Sequence, residues 1–306
     1  MATGHTPCGI AIPQTFPRTP VNMQLVRDFL QKAETLGYEG LWVQEQILGD
    51  YPILEPVSLL TYAAALTSKL RLGTSVLLTV LRNPVQLAKS LSSLDQMSQG
   101  RLTVGVGIGG HVPESLFGLS SEQRARRFVE GLQVMKALWT QPRATVAGTF
   151  WQFENVPMEP KPVQKPHPPL WFGAREEVAL RRAVRHGDGW MGAGVSSTAD
   201  FIKQVGLVRR LLDEAQRDPA TFPISKRVFL SVHQSPEVAQ AEVRRWFSEV
   251  YYNPALTTEA GVYGTPEQVR KGLEELVGMG ASHLLLNPVA RYTEQLETLA
   301  DVVGLS

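Results

Sequence analysis

The stretch Arg101–Gly110, "RLTVGVGIGG", carries Gly105, Gly107 and Gly110 in the pattern G-x-G-x-x-G. A Rossmann fold cradles a dinucleotide pyrophosphate with that spacing. The fingerprint requires a helix to open at the third glycine, inside the first βαβ unit of its domain. Here the next residues are "HVPESLFGLS", and Pro113 and Gly118 delay a helix to about Ser121. Three strand–helix units precede the motif, and Glu130, some twenty residues on, falls in mid-helix. The glycines therefore mark something else. Gly105 is expected to ease packing inside a strand. Gly107, Gly109 and Gly110 are expected where that strand leaves the sheet, on backbone bare enough for a ligand to approach.

Outward from this point, short apolar runs alternate with helical patterns. Strands are expected at 8–12, 40–44, 70–78, 101–107, 169–174, 188–192, 227–233 and 282–288. Helices are expected at 21–37, 56–68, 83–100, 121–140, 176–186, 198–217, 236–250, 265–278 and 291–302. In the third of these, Asn83 can cap, Pro84 suits the first turn and Gly100 can end the helix. "AETLGYEGLWV", "AVRHGDGWMG" and "ELVGMGASHLLL" share one grammar, a helix ending at glycine before a hydrophobic strand. Regular βα alternation with right-handed crossovers builds a parallel α/β sheet. Eight beats over this length favour closure into a (β/α)8 TIM barrel, with a doubly wound open sheet as the alternative. The rhythm breaks once, after the fourth helix. Residues 144–156 read as a hairpin turning at Gly148, and 157–169 as a proline-rich extended connection, so an insertion is expected at about 143–168. The whole chain, 1–306, reads as a single domain.

The composition is globular, with 43% hydrophobic and 19% charged residues and a net charge of +1. A balance that close to zero provides no global field for nucleic acid or an acidic membrane. Cys8 is the one cysteine, so an internal disulfide and a multi-cysteine zinc site are excluded. The opening "MATGHTPCGIAIPQ" lacks a signal-peptide pattern, and a cytoplasmic location is expected. No apolar run is long enough to span a bilayer.

The block "LRLGTSVLLTVLRNPVQLAKSLSSLDQMSQGRLTVGVGIG" (70–109), with "GLWVQEQ" (40–46) and "PPLWFGA…ALRRAVRHGDGWM" (168–191), resembles the bacterial luciferase-like flavin monooxygenases. The likeness is greatest to their branch using the deazaflavin coenzyme F420. It implies a TIM barrel with an inserted segment and a flavin or deazaflavin across its C-terminal mouth, with FMN as the alternative to F420. It further implies a non-proline cis peptide between Ser75 and Val76, behind the ring. Gly107, Ile108 and Gly109, with Gly173, Ala174 and Arg175, match the family's phosphate contacts. Backbone amides at glycines and at a helix start can hold a phosphate, and Arg175 can clamp it. A homodimer is implied too, with the helices after strands two and three as one possible interface.

Two positions depart from the family pattern. Deazaflavin dehydrogenases usually carry an acidic–His pair after strand two, where this chain has Glu45-Gln46. A glutamine cannot shuttle a proton. Sugar-phosphate dehydrogenases place a glutamate where Gly110 stands, which argues against a sugar-phosphate substrate. Catalytic candidates therefore come from strand ends. His111 is the first choice for a proton donor, Glu45 either acts in catalysis or pairs with an arginine such as Arg82, and Gln46 stands beside it. Gln44, His233 and Asn287 are further strand-end groups. Trp42 and Trp190 read as core, and His186 and His283 as structural residues of the opposite face. No metal site is read, since strand one has no H-x-H, and no facing carboxylate pair marks a glycosidase. The expected function is hydride transfer between coenzyme F420 and a small organic substrate. The alternatives are an FMN-dependent monooxygenase and a barrel that binds flavin without catalysis.

Overall fold

The apolar runs become strands because both their faces find cover, the barrel interior on one side and helices on the other. A computed structural model describes residues 7–109 and 114–305. Its strands are β1 (Cys8–Ala11), β2 (Gly40–Val43), β3 (Arg71–Thr74), β4 (Leu77–Leu78), β5 (Leu102–Gly107), β6 (Ala144–Ala147), β7 (Gln152–Val156), β8 (Leu170–Gly173), β9 (Gly189–Gly192), β10 (Ile224–Val232), β11 (Val262–Gly264) and β12 (His283–Pro288). Its helices are α1 (Met23–Thr35), α2 (Pro56–Leu66), α3 (Pro84–Met97), α4 (Arg124–Thr140), α5 (Glu177–His186), α6 (Thr198–Glu214), α7 (Pro236–Val250), α8 (Leu256–Ala260), α9 (Pro266–Gly278) and α10 (Tyr292–Val303).

Strands β1, β2, β3, β5, β8, β9, β10 and β12 pair in parallel in that order. β12 then returns to β1 through Leu284 opposite Cys8 and Leu285 opposite Gly9, which closes the ring. The eight-stranded barrel is the fold expected from the alternation, and an open doubly wound sheet is ruled out by the closure. β4 resumes the line of β3 after a bulge and pairs with β5. β11, too short to show a periodicity, adds outside the ring along the upper part of β10. β10 itself starts at Ile224, ahead of the expected Arg227.

Local chemistry sets the helix ends. The Asn83 side chain accepts from the amides of Val85 and Gln86 at 2.9 and 3.3 Å, with Pro84 in the first turn of α3. Gly100 follows that helix with φ +80°. Among the described residues after Gly109 no dinucleotide-binding helix opens, and the next α-helix, α4, begins at Arg124. β6 and β7 form the expected antiparallel hairpin. Glu130 of α4 holds its turn by accepting from the amides of Thr149, Phe150 and Trp151 at 3.0, 2.7 and 2.9 Å. The proline-rich connection is fixed by the buried Asp95 carboxylate, which accepts from the Gln164 amide at 3.0 Å and its Nε2 at 2.8 Å.

The largest apolar cluster fills the layer between strands and helices, while Ala11, Trp42, Met191 and Leu285 pack inside the ring. Trp42 fits there because β1 and β3 each present a glycine to it. A Cβ on Gly9 would lie 2.2 Å from Trp42 Nε1, and one on Gly73 2.3 Å from its Cε3. The indole stacks on Trp171 at 5.4 Å. Among the described residues no helix is long and apolar enough to cross a membrane.

Gly105 behaves as a packing glycine. A Cβ there would meet the Thr74 carbonyl oxygen at 1.8 Å, and backbone cannot step aside as a flexible side chain can. Gly105→Ala is expected to destabilise the fold by about 2–3 kcal/mol. Urea denaturation should show a lower midpoint at an unchanged slope. A midpoint equal to wild type would remove this account of the glycine.

Candidate functional site

The site begins with the bulge between β3 and β4. The Ser75–Val76 peptide is cis, as the resemblance implies. The Ser75 amide donates to the Val43 carbonyl at 2.6 Å, and the Thr74 hydroxyl to the Gly105 carbonyl at 2.8 Å. The chain then rejoins the barrel with Leu77 opposite Val106 and Leu78 opposite Gly107. This detour turns the Val76 side chain into the barrel mouth, against the last residues of β5 and β8. A Cβ on Gly107 would lie 2.6 Å from Val76 Cγ2, and one on Gly173 3.0 Å from Val76 Cγ1. Both glycines therefore make room for a protein side chain, a use that the sequence reading assigned to a ligand. Gly109 is different, because φ of +81° places it where only glycine is unstrained.

A cavity of about 370 Å³ opens above this point at the C-terminal mouth. Ser75, Val76, Gly107, Ile108, Gly109, Gly173, Ala174 and Arg175 all line it, so the structure brings these eight sequence-derived candidates to one place. Phe128, Phe172 and Met191 add apolar wall. The other end is cationic, with Arg175 joined by Arg182. Helix α5 starts beside it with no side chain capping its first amides. Uncapped amides and two guanidiniums, beside the carboxylate of Glu176, are groups able to hold an anion.

Arg227 and Tyr251 also line the cavity, and both were missed in the sequence. Arg227 Nε donates to Asn287 Oδ1 at 3.0 Å, and Nη1 to the Ser75 carbonyl at 3.2 Å. Nη2 donates to Gln44 Oε1 at 2.5 Å. All three acceptors are neutral, and burial pulls the guanidinium below its ordinary pKa range. Arg227 also lies over the Phe229 ring at 4.8 Å. Burial raises the pKa of the neighbouring Tyr251 phenol, and Arg227 opposes that rise. The sequence signal for Arg227 was hidden by the boundary of its strand. With β10 starting at Ile224, Lys226 pairs opposite Gly192 at the top of β9, and Arg227 is at the mouth. A strand starting at Arg227 would put it at the opposite end. Tyr251 caps the end of α7, where no local motif marks it.

The catalytic candidates fall elsewhere. His111, like Gly110, lies outside the described residues. Glu45 does not line the cavity. Its buried carboxylate accepts from Arg82 Nε at 2.9 Å and from the Leu78 amide, so it fixes the strand after the bulge. Arg82 also reaches Glu55 at 2.7 Å. Burial lowers the Arg82 pKa, but the two carboxylates outweigh it and hold the guanidinium above its usual range. Gln46 accepts from the Tyr51 hydroxyl at 2.9 Å, in the loop above β2. Gln44 and Asn287 serve as partners of Arg227, and His233 Nδ1 accepts from the Ser235 amide at 3.0 Å. Trp42 and Trp190 are buried core. His283 contacts the Ser225 hydroxyl at 2.7 Å, below the ring of Trp42. Among the described residues no three His, Cys, Asp or Glu side chains gather as metal ligands.

One buried cation stands just behind the mouth. Lys226 donates to the carbonyls of Ala193 and Ser196 at 2.6 and 3.0 Å. Burial pushes its ammonium down to about 7, only partly opposed by Asp200.

Residues 7–259 match the luciferase-like monooxygenase family. An uncharacterized protein of Mycobacterium tuberculosis is 38% identical over 167 residues, 54% of this chain and 58% of its own length. The chain thus spans less than two thirds of that relative. The F420-dependent glucose-6-phosphate dehydrogenase of Kineococcus radiotolerans is 26% identical over 232 residues, 72% of this chain and 67% of that one. The FMNH2-dependent dimethylsulfone monooxygenase of Pseudomonas putida is 26% identical over 327 residues, 94% of this chain and 89% of that one. Among solved structures, an F420-dependent secondary alcohol dehydrogenase superposes with a TM-score of 0.85 over 99% of both chains at 20% identity, which establishes the common fold.

Two outcomes follow from the electrostatics. Glu45→Gln breaks a buried ion pair and is expected to lower stability by about 1–3 kcal/mol, reduced from the cost of a fully enclosed pair because Arg82 keeps Glu55. A double-mutant cycle with Arg82→Met in urea measures the coupling, and additivity of the two changes would refute it. Lys226 has a lower pKa folded than unfolded, so between about pH 7 and 10 the unfolded chain binds more protons. Its contribution to stability therefore rises with pH across that window, by up to about 1.4 kcal/mol per pH unit. Other groups, Cys8 among them, titrate near this window in both proteins, so the stability difference between wild type and Lys226→Met should itself rise with pH over this range. Parallel curves would refute it.

Proposed function

The chain belongs to the luciferase-like monooxygenase family, and we propose that it transfers hydride between coenzyme F420 and a small organic substrate. The observation that carries this reading is the convergence at one mouth of an apolar platform, Val76, and an anion cradle, Gly107–Gly109 with Gly173–Arg175. The residues present fit a flavin-type coenzyme. The φ of Gly109 keeps its backbone free of any side chain, and the start of α5 is left uncapped beside two arginines. When bound, the deazaflavin supplies the hydride chemistry, and the protein needs to position, dehydrate and tune.

Each residue then has a task. Val76 backs the ring, and Phe172 with Met191 keeps water from it. The amides of the β5 and β8 ends hold the phosphate, with Arg175 and Arg182 balancing its charge. Arg227 holds the bulge through the Ser75 carbonyl and presents a cation to the substrate side. Tyr251 holds its proton at neutral pH as phenols ordinarily do, burial strengthens that hold, and the residue is an acid facing the cavity. Glu45 acts through Leu78 and Arg82 as a positioning residue. We place the enzyme in the cytoplasm, where its one cysteine fits a reducing compartment, and read it as a homodimer in keeping with the family resemblance.

An FMN-dependent monooxygenase is the second reading. It is favoured by the dimethylsulfone monooxygenase, whose likeness runs over 94% of this chain, and by a cradle that would serve the phosphate of either coenzyme. Titration of cofactor-free protein with FMN and with coenzyme F420, followed by fluorescence quenching, distinguishes the two. Tight binding of F420 alone is expected. Tight binding of FMN alone would replace the dehydrogenase by the monooxygenase, and binding of neither would end the catalytic reading. Arg175→Ala is expected to weaken the bound coenzyme about tenfold, roughly 1.4 kcal/mol. An unchanged Kd would remove Arg175 from the cradle.

A further inference from the structure

Helices α4 and α5 lie side by side on the outside of the barrel, and a groove of about 510 Å³ separates them. Its lining carries four guanidiniums, Arg126 from α4 and Arg181, Arg182 and Arg185 from α5, against the one carboxylate of Glu130. Arg182 lines this groove and the mouth cavity as well, so the two spaces meet at the cationic end of the cavity.

The carboxylates at hand are engaged elsewhere. Glu130, the acidic residue of the groove, accepts the three hairpin amides. Glu177 and Glu214 pair with Arg181 at 3.0 and 2.9 Å. Among the described residues Arg126, Arg182 and Arg185 have no carboxylate within ion-pair distance, and Arg126 reaches only the Thr149 hydroxyl at 3.4 Å. The field they generate is felt locally. The pKa of His186 is lowered by burial first and then by Arg185, Lys136 and Arg182. Three guanidiniums without ion-pair partners outnumber the one Glu130 carboxylate of the groove, and an anion between them relieves the repulsion that remains.

A ligand that fills such a groove carries several negative charges along an extended chain, and it enters from the phosphate end of the mouth. FMN ends at its phosphate. Coenzyme F420 continues beyond its phosphate into an oligoglutamate tail. We propose that the α4–α5 groove is the binding site for that tail, with Arg126, Arg182 and Arg185 pairing with successive carboxylates. This rests on reading the mouth as a coenzyme site. It adds a second, separable site that selects the longer coenzyme.

The experiment compares three forms of the deazaflavin, carrying no glutamate, two glutamates and six, by fluorescence quenching at low ionic strength. In wild type the six-glutamate form is expected to bind about tenfold more tightly than the tail-less form. At 0.5 M salt the difference should fall below about twofold, since exposed ion pairs are screened. In the double variant Arg126→Gln/Arg185→Gln the difference should vanish at low salt. The tail-less form should keep its wild-type Kd there, which also shows that the variant is folded. Equal affinity for all three forms in wild type would overturn the groove and leave the coenzyme reading standing. A tail-length effect that survives in the double variant would likewise overturn it, by sending the tail to another surface. Failure of every deazaflavin form to bind would overturn both readings together.

Discussion

The mouth of this barrel is organised around the seating of one valine side chain. Val76 stands where β3 is interrupted, and its two methyl groups occupy the space that side chains on Gly107 and Gly173 would need. Three neighbouring strands thus meet through one residue. The detour that carries Val76 there is tied down on every side. The Thr74 hydroxyl bonds the Gly105 carbonyl, the Ser75 amide bonds β2, and Arg227 bonds the Ser75 carbonyl from across the barrel. Leu78 is held by Glu45 from below. A rigid apolar surface results, which a coenzyme ring requires if its reacting atom is to be placed reproducibly.

Charge is divided sharply around that surface. Glu45 and Glu55 are both spent on Arg82, behind the bulge. Arg227, on the open side, is given only neutral oxygens. Neutral acceptors satisfy a guanidinium's donors without cancelling its charge, so Arg227 remains a cation toward the cavity. With Arg175 and Arg182 also lining it, the cavity has three arginines against the single carboxylate of Glu176. An enclosed space of that sign favours an anionic ligand, or a substrate that develops negative charge as it reacts.

Much of this was legible in the sequence, for particular reasons. The strands were visible because parallel strands covered on both faces read as continuous apolar runs, and the eight that close the ring all lie in such runs. The cis peptide and the cavity residues Gly107–Gly109 came through the block 70–109, and Gly173–Arg175 through 168–191, where resemblance carries more than periodicity can. What failed to show depends on three-dimensional register. Three residues added to the start of β10 move Arg227 from the foot of the barrel to its mouth. Tyr251 enters from a helix end with no local motif. The purpose of Gly107 and Gly173 needed Val76 in place, since the residue each accommodates is remote in the chain. For Glu45 the sequence left two roles open, and only the position of Arg82 distinguishes them.

The net charge of +1 is the most misleading single number in the sequence. It correctly describes the chain as a whole and conceals how its charges are sorted. Helix α5 buries Leu180, Ala183 and Val184 against the barrel, and this amphipathic spacing fixes where its arginines must point. Arg181, Arg182 and Arg185 lie on the other faces, and the groove shared with α4 collects them beside Arg126. An arginine-rich helix face is ordinarily no more than a solvated surface. Here the same face is continuous with the cationic end of a cavity through Arg182. A field of one sign that begins inside a pocket and continues outside it has a direction. Screening at physiological salt acts over about 8 Å, so the carboxylates nearest these arginines decide how much of that field remains: Glu177 and Glu214 are paired with Arg181, while Glu130 and Glu176 keep their charges and are outnumbered by Arg126, Arg175, Arg182 and Arg185.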